Sequence, residues 1–184
     1  MTRRRAVTPA TDRLDGRRDF DFLAGRWRVR NRKLLNPAPG EPADWVEFDS
    51  EAESGPILSG LGNVDTYYTS DFPGLGEFHG FALRLFDPDA GLWRIWWASS
   101  AGRGRLDPPL AGRFTDGIGR FEGDDHVAGR AVRVRFRWSD VTQTSARWEQ
   151  AFSFDAGRTF ETNWEMRFHR LAPLSDGGRV SRER

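Results

Sequence analysis

Arg130-Ala131-Val132-Arg133-Val134-Arg135-Phe136-Arg137-Trp138 is the stretch whose reading decides the fold. Val132, Val134, Phe136 and Trp138 alternate with Arg133, Arg135 and Arg137. Side chains of a β-strand point to opposite faces with a period of two, so this segment is a strand with one apolar and one charged face. The apolar face must be buried against something, and a single strand cannot bury it alone. Upstream the same period recurs: Trp27, Val29 and Asn31 share a face, with Arg26, Arg28, Arg30 and Arg32 on the other. From Trp45 to Glu53, Val46, Phe48, Ser50 and Ala52 oppose a row of Glu47, Asp49, Glu51 and Glu53.

Antiparallel pairing of these two segments lays the acidic row against Arg28, Arg30 and Arg32. Opposite charges across a strand pair contribute about 0.2–1 kcal/mol each, and they fix which face is wet. The carboxylates therefore read as a surface ladder rather than a catalytic pair. Further strands are expected near 62–68, 78–86, 92–99, 110–115, 120–123, 146–154 and 159–169. Asp87-Pro88-Asp89-Ala90-Gly91 and Asp155-Ala156-Gly157 carry the residues of hairpin turns, and Asn36-Pro37-Ala38-Pro39-Gly40 is a loop. No segment after Gly25 has a helical period long enough to cover a sheet. The expected fold is all-β, a single closed antiparallel meander barrel of about 8–10 strands, since closure removes exposed edges. Asp19-Phe20-Asp21-Phe22-Leu23-Ala24 suits a short N-terminal helical turn that plugs the core. Residues 1–18 are expected to be a mobile arm, 19–170 the barrel and 171–184 a disordered C-terminal tail.

Composition narrows the function classes. Among 184 residues, 28 basic against 27 acidic side chains leave a net charge of +1, and Lys33 is the sole lysine. Nucleic-acid binding needs clustered excess positive charge, so no nucleic-acid partner is expected. No run approaches the roughly 20 apolar residues of a membrane span, so no membrane association is expected either. Arg3, Arg4 and Arg5 are followed by no apolar stretch, which argues against a secretory signal and for a cytoplasmic location. Absence of cysteine excludes disulfides, thiolate nucleophiles and cysteine metal sites.

Gly25-Arg26-Trp27, a Gly-x-Trp opening the first strand just after the helical turn, resembles the calycins, the lipocalins and their relatives. Their first-strand Trp packs across the closed end of the barrel. More specifically, the chain resembles a bacterial family of uncharacterised calycin-like (lipocalin-like) barrels. The residues that carry this are Gly60-Leu61-Gly62-Asn63-Val64-Asp65, Leu83-Arg84-Leu85-Phe86-Asp87-Pro88, Trp93-x-x-x-Trp97-x-Ser99 and Leu106-Asp107-Pro108-Pro109. Further matches are Arg135 to Asp140, Ser145 to Phe152 and Asn163-Trp164-x-Met166-x-Phe168. The resemblance spans residues 19–170 and implies the fold. The family has no settled activity, so it transfers no catalytic residue.

Parity places Trp27, Trp93, Trp97, Trp138, Trp148 and Trp164 inward, where they either fill volume or line a pocket for a flat or isoprenoid-like ligand. The ligand-binding candidates are Trp93, Trp97, Ser99, Phe81, Phe136, Trp148, Trp164 and, on a glycine-interrupted loop that could act as a lid, Arg105. His79 shares parity with Phe81, Leu83 and Leu85, and is read as facing inward. With Asn31 and Gln150, polar residues on apolar faces, it forms the catalytic set if the protein is an enzyme. Ser99 and Thr162 are of the same kind, and Asp65, Tyr67 and Tyr68 lie near a barrel mouth with ambiguous parity. Lys33 offers an amine capable of a Schiff base, though a snorkelling stem with a solvated head is the plainer reading. His169 reads as a surface residue, and His126 lies in the loop Gly123-Asp124-Asp125-His126, where Asp-Asp-His could bind a metal weakly but has no partner cluster with metal spacing. No metal site and no cofactor are expected. Trp96, with outward parity, suggests an interface and a possible homodimer.

Three functions follow from these residues. The first is binding of an apolar or aromatic small molecule in the cavity, which needs a void of roughly 300 Å³. The alternative is a cofactor-independent cyclase, isomerase or lyase acting on a hydrophobic intermediate. A third is a non-catalytic interaction scaffold presenting Trp96 and the arginine rows.

Overall fold

Ten strands follow one another in the computed structural model, which describes residues 15–172. They are β1 (Gly25–Leu34), β2 (Trp45–Ile57), β3 (Gly62–Phe72), β4 (Gly76–Asp87), β5 (Leu92–Ser99), β6 (Leu110–Thr115), β7 (Ile118–Val127), β8 (Arg130–Ser139), β9 (Ser145–Ser153) and β10 (Glu161–Arg170). Each pairs antiparallel with its sequence neighbours, and β1 pairs with β10, so the meander closes into a barrel. The helical elements among the described residues are two 3₁₀ turns, Asp21–Leu23 and Leu58–Gly60. Of the expected terminal arms, residues 1–14 and 173–184 lie outside the described residues. Residues 15–18 belong to a turn: Asp19 donates its amide to the Gly16 carbonyl at 3.0 Å, and that carbonyl also accepts from Trp93 Nε1 at 2.9 Å.

Charge patterning sets the register as the alternation predicts. Across β1 and β2, Arg28 faces Glu51, Arg30 faces Asp49 and Arg32 faces Glu47. The ion pairs form on the diagonal: Arg26 reaches Glu51 at 3.4 Å and Arg30 reaches Glu47 at 3.7 Å, because long side chains span one step along the neighbouring strand. The ladder continues around the wall through Arg32–Glu165 (3.5 Å), Arg147–Glu165 (3.4 Å), Arg147–Glu149 (3.0 Å) and Arg137–Glu149 (2.6 Å). Such partly exposed pairs contribute at most about 1 kcal/mol apiece, so their role is to specify the outer face. That charged exterior is the inverse of the apolar outer band of a membrane-spanning barrel. Among the described residues no helix is long and apolar enough to cross a membrane.

The Asp21–Leu23 turn plugs one end of the barrel. Phe20 and Leu23 are buried, and Phe20 meets Trp93 and Phe114 edge-on at centroid distances of 5.0 and 5.2 Å. Trp27, fully buried, donates Nε1 to the Leu23 carbonyl at 2.7 Å. The Arg170 guanidinium lies 4.1 Å over the Trp27 ring and donates to the Gln143 carbonyl at 2.6 Å, with a further hydrogen bond to the Ala24 carbonyl. First strand, last strand and plug are thus tied at one point.

One strand departs from the expected facing. In β4 the inward residues are Phe78, Gly80, Ala82, Arg84 and Phe86, while His79 and Phe81 point outward; Phe81 is 38% exposed. The reason lies on the adjacent strand. Trp97 of β5 presses its indole against Gly80, where a Cβ would lie 2.2 Å from ring carbon Cη2. Only the set that offers a hydrogen and a methyl leaves room for that ring. The larger apolar set, with Leu83 and Leu85, takes the outside.

Candidate functional site

Above the plug the interior is hollow. A cavity of about 270 Å³ is lined by inward residues of β2 to β10 and by Asp107 and Pro108 of the segment leading into β6. Trp97, Phe136, Trp148, Phe152 and Trp164 form its aromatic walls, and Ile95, Val134, Met166 and Phe168 complete them. These side chains come from four strands, β5, β8, β9 and β10, whose inward positions recur every second residue, which is why parity on each strand brings them together. The rings meet edge-on: Trp148 packs at 4.9 Å from Phe136 and 5.7 Å from Trp164. The volume falls just below the roughly 300–1,000 Å³ usual for small-molecule pockets, and so limits the occupant's size.

At the inner end stands a buried ion pair. Arg84, 5% exposed, donates Nη1 to the Asp65 carboxylate and, at 3.0 Å, to Asn63 Oδ1. Both Arg84 and Asp65 line the cavity, as does Trp138 beneath the guanidinium. Burial pushes the Asp65 carboxyl above its ordinary range, against the opposing pull of Arg84. Two donors here, Arg84 Nε and Trp138 Nε1, are buried without a hydrogen-bond partner among the described residues. At the mouth, Asp107 and Asp125 line the opening. Partial burial, and then the charge of Asp125, raise the Asp107 carboxyl above its usual value.

Behind the wall Asn31 is a hub rather than a reactive group. It is 1% exposed, and its Oδ1 accepts from Tyr67 Oη at 3.0 Å and Trp164 Nε1 at 3.1 Å. Its Nδ2 donates to Ser50 Oγ at 2.8 Å and reaches the Val29 and Phe48 carbonyls. With every site used, Asn31 orients two cavity walls and is not itself presented to a ligand.

The other candidates separate clearly. Trp97, Phe136, Trp148, Trp164 and Gln150 line the cavity; Gln150 donates Nε2 to Asn163 Oδ1 at 2.8 Å across a bulge in β10. Trp93 is buried at the plugged end against Phe20 and Phe86, away from the cavity. Ser99 holds the turn after β5, its Oγ accepting the Gly102 amide at 3.2 Å. Arg105 is exposed on that loop and is not among the cavity-lining residues. His79 lies outside the barrel beside Tyr68 and bonds Glu77 at 3.0 Å, so it cannot act in the cavity. Trp96, Leu83 and Phe81 share the outer face of β4 and β5, with Trp96 paired across to Leu83. Lys33 is half-buried: Nζ sits 4.1 Å over Trp164 and 6.0 Å from Phe72, and burial pushes its pKa down to about 8. Among the described residues no group of three or more metal-ligating side chains could hold a metal ion.

Sequence reasoning missed Arg84, Asp107 and Asp125 as cavity residues and left Asp65 ambiguous. The available signal was the run of small residues at Gly80 and Ala82, which marks the crowded inner face of β4 and places Arg84 on it.

Fold and cavity together define the class: a closed ten-strand antiparallel barrel, plugged at one end and hollow at the other. Among solved structures, the S-type phycobiliprotein lyase CPES from Guillardia theta shares this calycin-like fold, with a TM-score of 0.53, 11% sequence identity, and 90% of this chain and 99% of the lyase chain covered. At that identity the likeness concerns the fold alone. No protein-family model matches the chain, and no curated protein matches it.

Proposed function

We propose that this chain is a calycin-like barrel of the bacterial family its motifs resemble, and that it binds an apolar or aromatic small molecule of one or two rings. The observation that carries the reading is the cavity of about 270 Å³ walled by aromatic side chains. An apolar cavity of about 150 Å³ accepts benzene, so the volume here suits two fused rings. A larger, multi-ring occupant would require the segment leading into β6 to move.

Native mass spectrometry of the freshly purified chain, followed by calorimetric titration with indole, tests the proposal. Saturable 1:1 binding is expected, and it should vanish in Ala52→Phe, which projects a ring into the cavity from β2. Absence of saturable binding by the wild type, with no co-purified molecule, refutes the reading.

Acid–base chemistry on a hydrophobic intermediate, as in a cofactor-independent cyclase, isomerase or lyase, is a second reading. It is favoured by one observation, a cavity carboxyl at Asp65 whose proton burial retains more firmly. Asp65 would carry the proton, with Gln150 orienting the substrate, in place of His79 and Asn31. Asp65→Asn should then lower turnover about 100-fold or more; an unchanged rate removes this reading.

A further inference from the structure

The cavity's polar groups are not scattered. Apart from Gln150 and Tyr67 in the wall, they sit at its two ends, and the ends differ in kind. At the inner end, beside the Asp65 carboxylate that Arg84 pairs with through Nη1, stand donors without partners: Arg84 Nε and Trp138 Nε1 are both buried with no hydrogen-bond partner among the described residues. Arg84 is 5% and Trp138 2% exposed, so neither donor is compensated by bulk water. A buried donor without a partner costs about 1–3 kcal/mol, and an arriving acceptor recovers that cost. The local charge is already balanced by Asp65, so a neutral acceptor fits better than an anion, which would compete with Asp65 for one guanidinium.

At the outer end everything offered is an acceptor. Asp107 comes from the segment before β6 and Asp125 from β7, and the two line one mouth. Neither has a basic partner among the described ion pairs; the one hydrogen bond accepted there is from the His126 amide to Asp125 at 2.7 Å. The charge bearing on Asp107 is that of Asp125, so a cation entering between them relieves a repulsion as well as making two contacts. Between the ends the walls are tryptophan and phenylalanine faces, which also attract cations.

Building on the proposed cavity function, we infer that the ligand is a small aromatic amine with polarity at both ends. Its neutral carbonyl points inward to Arg84 and Trp138, and its ammonium rests between Asp107 and Asp125. The inner donors set orientation and the mouth carboxylates select charge. Carboxylic acids of the same ring size are disfavoured at both ends.

Four probes on the full chain form the test: indole, tryptamine, indole-5-carboxamide and 5-carboxamidotryptamine, with dissociation constants from calorimetry. The ammonium and the carbonyl should each tighten binding about tenfold relative to indole, equivalent to about 1.4 kcal/mol apiece. The combined Asp107→Asn and Asp125→Asn variant should erase the ammonium gain and leave the carbonyl gain. Trp138→Phe, which keeps an aromatic ring, should reduce only the carbonyl gain. The wild-type series is decisive even if that variant folds poorly. Four affinities within twofold of one another overturn the inference while leaving the cavity reading intact. Failure of indole itself to bind overturns the cavity reading.

Discussion

Replacing Asn31 by Leu keeps the approximate volume of the side chain and removes all of its polar atoms. Tyr67 Oη and Trp164 Nε1 then lose their shared acceptor, at sites 4% and 7% exposed where solvent cannot substitute. Ser50 Oγ loses its 2.8 Å donor but retains a long contact to the Val29 carbonyl at 3.4 Å, so it contributes little to the loss. Two orphaned donors at about 1–3 kcal/mol each give a cost near 3–4 kcal/mol. For a chain of this size that corresponds to a melting temperature lower by roughly 6–16 °C. Urea unfolding followed by tryptophan fluorescence measures it, with an unchanged m-value confirming that the native state remains compact. The sharper test is the pair Asn31→Leu with Tyr67→Phe. Removing the orphaned hydroxyl should return about 1–2 kcal/mol, a coupling expected of residues in one hydrogen-bond network. A loss below about 1 kcal/mol in Asn31→Leu, or additive single and double variants, would refute the hub. The same variant should weaken indole binding, since Tyr67 and Trp164 line the cavity.

Gly80→Ala places a methyl 2.2 Å from Trp97 Cη2; the indole must swing into the cavity, at a cost of about 1–3 kcal/mol, and indole binding measured by calorimetry should be lost. Replacing the buried ion pair together, Asp65→Leu with Arg84→Met, should leave stability unchanged or raise it by about 1–4 kcal/mol. Because burial holds the Asp65 pKa above its unfolded value, this group's contribution is fully present below the unfolded value and falls as pH rises through the folded one. The wild type should therefore lose stability relative to that double variant as pH climbs from acid toward neutrality, as read by urea titration. For Lys33 the sign reverses. Its folded pKa of about 8 lies below the unfolded value, so stability should rise as pH increases from about 8 toward the unfolded value of about 10.4; Lys33→Met should abolish that slope.

Much of the architecture is legible in the residues themselves. Alternation with a period of two is a local property, so each strand announces its two faces, and charged rows such as Arg28, Arg30 and Arg32 name the wet one. Turn chemistry at Asp87 is equally local: its carboxylate accepts the Asp89 and Ala90 amides at 3.1 Å each, closing the hairpin there. The aromatic walls Trp97, Phe136, Trp148 and Trp164 follow from parity alone.

The facing of β4 does not follow, because His79, Phe81, Leu83 and Leu85 make as apolar a row as Phe78, Gly80, Ala82 and Phe86. Which row goes inside is decided by a ring on another strand, through the contact of Trp97 with Gly80. The polar ends of the cavity are hidden for the same reason. Asp65 meets Arg84 across β3 and β4, and Asp107 comes beside Asp125 where the segment before β6 runs along β7. Asn31 and Trp164, 133 residues apart, become partners only when β1 pairs with β10. Sequence by itself determined the barrel, its wet face and its aromatic lining, since these rest on periodicity. Tertiary structure alone decided which polar groups were buried together, since desolvation and pairing depend on neighbours that the chain brings from far away.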